Sequence, residues 1–366
     1  MTDHELHFIL PNSYFILSDR SVMTHEKIAF SGIQPTGELH FGNYFGAVKN
    51  WVALQSGGEY KCVYCVVDLH AMTMPYDPAI LKKNTEGMYT DLLASGLDPN
   101  KAIVFVQSQV PEHTELTWVF SCLASYGDLT RQAQFKDKSE QVAAKAAEDA
   151  TKGEFISAGL FTYPVLQAAD ILLYRSGYVP VGKDQEQHLE MSRSIAKRFN
   201  YQFGEEYFPE PQMLATETPK LLSLADPTKK MSKSLGPKHY IGMFEDEKGV
   251  RSKVKSAVTD TGVADVEMSP GVDNLLALLR ACDKQTLADS FAAEYAKGEQ
   301  RRYSPLKEAV ADALVELTST MRARREEVSK DREYVRKTMW DSAQKARDIA
   351  GQTIKDVRRL AGLPKR

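Results

Sequence analysis

Apolar residues in the first half of the chain follow two alternating rhythms. Short, nearly unbroken apolar runs at Ile28 to Phe30, Tyr60 to Asp68 and Ala102 to Gln107 have strand length. Between and after them, Tyr44 to Leu54, Asp77 to Ser95 and Pro111 to Ala124 carry apolar residues at helical spacing. Continuous apolar runs suit parallel strands covered on both faces. The alternation therefore predicts an α/β fold: a doubly wound, Rossmann-like parallel sheet with right-handed crossovers and a ligand crevice beyond the carboxyl ends of its strands. Pro78 after Asp77 marks a capped helix start. Gly32 and His70 fall just past strand ends and are expected to line one crevice.

Later the rhythm changes. Tyr201 to Pro219, broken by Gly204, Pro209, Pro211 and Pro219, reads as irregular chain leading to a last strand around Leu221 to Leu224. Beyond it the period is helical: Leu275 to Cys282, Leu287 to Tyr295, Leu306 to Arg325, Glu333 to Ile349 and a last piece around Val357. The expected organisation is an extension over 1–26, a Rossmann-like domain over 27–225, and a lysine-rich junction with an all-helical domain over 226–366.

With 43% hydrophobic and 26% charged residues, a chain of 366 residues reads as a soluble globular protein long enough for two domains. The net charge of -3 says nothing global about nucleic acid, but from Arg301 onward 17 Lys and Arg face 10 Asp and Glu. Arg322, Arg324, Arg325, Arg332, Arg336 and Lys337 are candidates to meet RNA phosphates, although solvated helix faces look alike. The first 26 residues have Asp3 and Glu5 where a targeting segment needs basic residues, and no stretch approaches membrane-spanning length. The cytoplasm is the expected compartment. Cys62 and Cys65 have a metal-site spacing, yet they sit in an apolar run with no second pair, and read as core thiols. Ser139 to Glu154 has helix-forming composition without an apolar stripe and reads as an exposed connector.

Two segments carry candidate chemistry. Lys229-Lys230-Met231-Ser232-Lys233-Ser234-Leu235-Gly236 packs lysines and hydroxyls into a run with loop punctuation around it, expected to be mobile. Lys230 and Lys233, three residues apart with Ser232 between them and Ser234 after, can close on a polyphosphate as point charges; a solvated face would look similar. Upstream, Ser31 to Asn43 joins a strand to a helix through Gly32 and Gly37, which suits an anion at the helix N-terminus. His40 and Asn43 can there donate to phosphoryl oxygens as charge builds on them.

The pair His40-Phe41-Gly42-Asn43 and Lys230-Met231-Ser232-Lys233-Ser234 resembles the two signatures of class I aminoacyl-tRNA synthetases. The surrounding words, SGIQPTG from Ser31, VPVGKDQ from Val179 and DPTKKMSKS from Asp226, are similar to the bacterial tryptophanyl-tRNA synthetase family, from about Lys27 to the C-terminus. That resemblance implies a ligase for L-tryptophan, ATP with Mg2+ and tRNA(Trp), usually a homodimer, with anticodon recognition in the helical end. It implies His40, Asn43, Lys138, Lys230 and Lys233 at the phosphoryl centre. Gln34, Thr36, Gly42, Gly182, Asp184, Met231, Ser232 and Ser234 would join Asn43, Lys230 and Lys233 around ATP. No metal ligand is named, since magnesium is expected to ride on the phosphates.

For tryptophan the implied residues are Phe30, His70, Tyr163, Gln167, Asp170, Val181 and Gln185. Tyr163, Gln167 and Asp170 are spaced i, i+4 and i+7, so one helix face presents a phenol, an amide and a carboxylate. An indole N–H is a donor only, and an ionised Asp170 would accept from it, although the carboxylate can instead bind a neighbouring amide. Asp184 can take ribose hydroxyls or simply cap a helix. His188 reads as a packing or surface residue. The family's tryptophan pattern usually has methionine where Gln167 stands, and Tyr, Gln, Asp at this spacing is found in tyrosine-specific relatives. Tyrosine specificity and a non-charging RNA-binding paralogue therefore stand as alternatives.

Overall fold

The computed structural model describes residues 26–132, 156–182, 186–214, 221–259, 268–296 and 303–365. Lys138, Asp184, Gln185, the connector 139–154 and the extension up to residue 25 lie outside the described residues.

Five strands, β1 (Ile28–Ile33), β2 (Lys61–Val66), β3 (Ala102–Val106), β4 (Tyr178–Pro180) and β5 (Gln212–Leu214), form one parallel sheet. Their order is β3-β2-β1-β4-β5. The chain therefore reverses its winding between β1 and β4, the place where such sheets open a crevice. The two strand ends are tied there by Ser31 Oγ donating to the Pro180 carbonyl at 3.4 Å. β2 and β3 are buried on both faces, as their unbroken apolar runs require. Cys62 and Cys65 are buried free thiols packed on opposite faces of β2.

The helices are α1 (Phe41–Asn43), widening through a π stretch, Tyr44–Val48, into α2 (Lys49–Gly57), then α3 (Asp68–Ala71) and α4 (Pro78–Ala94). Asp77 caps α4, accepting from the Ile80 amide at 2.9 Å. There follow α5 (Glu112–Ser121), α6 (Tyr126–Thr130), α7 (Ala158–Leu172) and α8 (Glu186–Phe203). The remaining chain contributes α9 (Glu247–Lys255), α10 (Pro270–Ala281), α11 (Gln285–Ala296), α12 (Tyr303–Lys330) and α13 (Arg332–Leu360). Among the described residues no helix is long and apolar enough to cross a membrane.

Two expectations are corrected. Among the described residues the last strand is β5, directly after Pro211, and Leu221 to Leu224 lies outside the sheet. A short apolar run does not declare which layer it serves. Leu221 and Leu224 pack with α10 and α12, and Leu222 gives its amide to Asn274 Oδ1 (2.8 Å) and its carbonyl to Asn274 Nδ2 (3.0 Å). The proposed last piece around Val357 is continuous with the helix before it, and Gly351 sits inside α13 without breaking it. That helix returns to the sheet and lies against β3 and α5. Buried Ala343, Ala346 and Ala350, at i, i+3 and i+7, present little bulk and permit the close approach.

Replacing Asn274 by leucine leaves the Leu222 amide and carbonyl without their partner. The expected cost is about 1–3 kcal/mol of unfolding free energy. Urea titration of the variant against the parent protein measures it.

Candidate active site

β1 delivers its carboxyl end to a turn in which the Thr36 amide donates to the Gln34 carbonyl at 2.9 Å and Gly37 takes a φ of 104°. That left-handed value favours glycine. The chain then enters α1 with His40 as its N-cap, extended at φ -121°. His40 Nδ1 accepts from the Asn43 amide at 3.3 Å. A Cβ at Gly42 would stand 2.8 Å from His40 Cε1 and 3.0 Å from Nδ1, so glycine is what lets the ring fold back over the helix start. With Nδ1 accepting, the neutral ring carries its proton on Nε2 and has a donor to offer. Burial first, and then the charges of Lys233 and Lys230, push His40 down to about 4, so the ring is neutral at physiological pH.

The lysine run comes to this turn. The Leu39 carbonyl accepts from the Met243 amide at 2.8 Å and the Phe41 amide donates to the Ile241 carbonyl at 3.1 Å. His40 thereby forms an antiparallel bridge with Gly242. Lys233 Nζ donates to the Glu38 carbonyl at 2.7 Å, across 195 positions of sequence. Met231 is buried among apolar residues, and its amide donates to the Leu221 carbonyl at 3.1 Å. The run is thus a docked turn: Ser232 caps the short 3-10 turn Lys233–Leu235, and the Ser232 and Ser234 hydroxyls lie 2.8 Å apart. Burial lowers the Lys233 pKa, against which the Glu38 and Asp91 charges act. A cation is therefore held in partly dry surroundings, bonded to the Glu38 carbonyl, where an anionic ligand would be favoured.

The third part is a carboxylate sunk beside the sheet. Asp170, on α7, is 1% exposed. Its Oδ1 takes Gln107 Nε2 at 2.7 Å and His113 Nδ1 at 2.6 Å, and its Oδ2 takes His70 Nε2 at 2.8 Å. His113 Nε2 meets the Tyr174 hydroxyl at 2.9 Å. Burial by itself would raise the Asp170 pKa, but the hydrogen bonds from His113 and His70 hold it below the ordinary carboxylate value. From the sequence, an indole or a backbone amide is the expected partner of this carboxylate. The chain instead supplies three side-chain donors, leaving about one of the four acceptor positions of the carboxylate.

The other candidates fall around these parts. Phe30 stacks on Tyr174 with centroids 5.6 Å apart. Tyr163 is buried, its hydroxyl 3.3 Å from Nε2 of His188, which is itself buried. Gln167, Val181 and Gly182 are half-buried, the last two just past β4 at the crevice. Gln34 is half-buried and Thr36 exposed in the turn after β1. Of the basic residues assigned to RNA, Arg325 turns inward to Asp91 at 2.6 Å and Arg322 donates to the Glu245 carbonyl. Lys337 pairs with Asp341 one helical turn on. Gln107, His113 and Tyr174 were missed by sequence reasoning. Gln107 had a signal, as the first residue past β3 like Gly32 and His70 near their strand ends, and Tyr174 stands at i+4 from Asp170. His113 had none.

The family described as tRNA synthetases class I (W and Y) matches residues 23–319. The "Tryptophan--tRNA ligase 2" of Streptomyces avermitilis is 44% identical over 330 residues, covering 88% of this chain and 93% of that protein. The crystal structure of tryptophanyl-tRNA synthetase from Mycoplasma pneumoniae has a TM-score of 0.79 at 34% identity, over 93% of this chain and 98% of that one. That of the Campylobacter jejuni enzyme, complexed with ADP and tryptophan, has a TM-score of 0.74 at 32% identity, over 92% and 99%.

The His40 ring gives a direct test. NMR titration of labelled histidine is expected to find it near 4 instead of 6.5, and Lys233→Ala should move it upward by removing a cation. The unfolded chain binds this proton at a higher pH than the folded one. The contribution to stability is therefore complete above 6.5 and is lost as the pH falls towards 4.

Proposed function

The chain belongs to the class I tRNA synthetases for tryptophan and tyrosine, and on that premise we propose that it works as a tryptophan–tRNA ligase through the docked pair of segments described above. In the first step a carboxylate oxygen of L-tryptophan attacks the α-phosphorus of Mg-ATP. The bond from that phosphorus to the bridging oxygen breaks, giving tryptophanyl-adenylate and pyrophosphate. In the second, a terminal hydroxyl of tRNA(Trp) attacks the acyl carbon and AMP leaves. The reaction needs no covalent enzyme intermediate, so the protein contributes position and charge.

The observation that carries this reading is the meeting of the His40 turn with Lys233 across the Glu38 carbonyl. Neutral His40 would donate from Nε2 to a phosphoryl oxygen without first losing a proton, with Asn43 beside it. Lys233 would exchange the Glu38 carbonyl for phosphate, joined by Lys230 and Lys138 on the departing pyrophosphate. Gln34, Thr36, Gly42, Gly182, Asp184, Met231, Ser232 and Ser234 would border the nucleotide. Magnesium would arrive on the phosphates as part of the substrate. The last acceptor position on Asp170 suits a single N–H donor, with His70, Tyr163, Gln167, Phe30, Val181 and Gln185 around the ring and the ammonium.

Tyrosine, suggested by the triplet Tyr163, Gln167 and Asp170, is not favoured: the relative at 44% identity over 330 residues carries the tryptophan name. Charging of tRNA suits a cytoplasmic protein, and the family likeness supports a homodimer.

Amino-acid-dependent exchange of pyrophosphate into ATP tests the activity. Tryptophan is expected to support it at least about 100-fold better than tyrosine. Equal exchange with tyrosine, or none with either, overturns the reading. Lys233→Ala should lower kcat about 100-fold while tryptophan binding, measured by equilibrium dialysis, persists.

A further inference from the structure

Leu39 and Phe41, the neighbours of His40, are both fully buried, so the position of the imidazole is set by what holds their backbone. One holder is the pairing with Ile241 and Met243. The other is Asp91 on α4, whose Oδ2 accepts from the Leu39 amide at 3.4 Å. Asp91 is 1% exposed, and its Oδ1 accepts from Arg325 Nε at 2.6 Å. Arg325 comes from α12, which packs along α4. Its guanidinium lies over the Phe244 ring at 4.7 Å, and Arg322, one turn earlier, donates to the Glu245 carbonyl. Phe244 and Glu245 directly continue the stretch paired with Leu39 and Phe41. Both backbones that clasp His40 therefore end on one face of α12.

A surface ion pair between these helices would have little effect, but a carboxylate this deep requires its partner. Burial raises the Asp91 pKa, and the charge and hydrogen bond of Arg325 are the chief influences drawing it back. We propose that Asp91 and Arg325 are positioning residues for adenylate formation: they fix the Leu39 backbone and with it His40, and they make the phosphoryl centre responsive to the placement of α12. The proposal rests on the role given to His40 above.

The test removes the pair without stranding a charge. In Asp91→Leu/Arg325→Met two apolar side chains replace the ions. Tryptophan affinity is expected to stay unchanged while kcat for pyrophosphate exchange falls about 10- to 100-fold. Arg325→Lys, which keeps the charge, should recover part of the loss. In a His40→Ala background the double replacement should cost less than about twofold more, because both changes act through one group.

An unchanged kcat overturns the proposal, as does an equal fractional loss in the His40→Ala background. If the double variant does not fold, Asp91→Asn takes its place, keeping an oxygen for the Leu39 amide but no charge for Arg325. Its kcat is expected to fall severalfold at unchanged tryptophan affinity, and a parental kcat overturns the proposal. If His40→Ala alone keeps the parental kcat, the role of His40 fails first, and the two failures are told apart.

Discussion

Two backbone hydrogen bonds, from Met243 to Leu39 and from Phe41 to Ile241, carry more consequence than their modest energy suggests. They join the exit of the first strand to a segment from the far side of the chain, in the same region where Lys233 reaches the Glu38 carbonyl and its charge acts on His40. Burial and the nearby cations keep that histidine uncharged. Burial also strips water from the lysine, which bonds the Glu38 carbonyl while the Glu38 and Asp91 charges act on it. Two groups that would each be better satisfied by an anion thus share one mouth of the crevice. The fold holds them there through buried anchors: Leu39 and Phe41 on one side, Met231 and Ile241 on the other.

The same economy of polar groups governs the buried carboxylate beside the sheet. A carboxylate at 1% exposure persists as an anion only when donors surround it, and Asp170 has three, drawn from α3, from just past β3 and from α5. Their geometry leaves the carboxylate rigid and nearly saturated. A ligand approaching it must bring a donor and little else, which is a more selective demand than an apolar slot makes. The Tyr174 hydroxyl behind His113 extends the chain of hydrogen bonds into the core, where the ring of Phe30 closes it.

Much of this was legible in the chain. Unbroken apolar runs located β1, β2 and β3, Asp77-Pro78 marked the start of α4, and the strand-helix alternation implied the winding that the sheet order displays. Glycine spacing and the lysine run announced the two segments that meet. What escaped was whatever depends on distant partners. Leu221 to Leu224 looked like a strand because four residues of apolar pattern cannot tell a sheet from a strand-like stretch packed on helices. The contacts of Arg322 and Arg325 with Glu245 and Asp91 were invisible because a helix face shows charge but not direction, and Asp91 lies 234 positions away from Arg325. His113 looked like nothing, since a lone histidine in a helix is as often surface as core.

The proposed chemistry requires one triphosphate to be gripped from two sides, by the His40 turn and by the docked lysine run. The most direct measurement is a crystal structure with tryptophan and a non-hydrolysable ATP analogue. Phosphate oxygens are expected about 3 Å from both His40 Nε2 and Lys233 Nζ, with the lysine released from the Glu38 carbonyl. Phosphates seated elsewhere, with Lys233 still bonded to that carbonyl, would contradict the proposed chemistry.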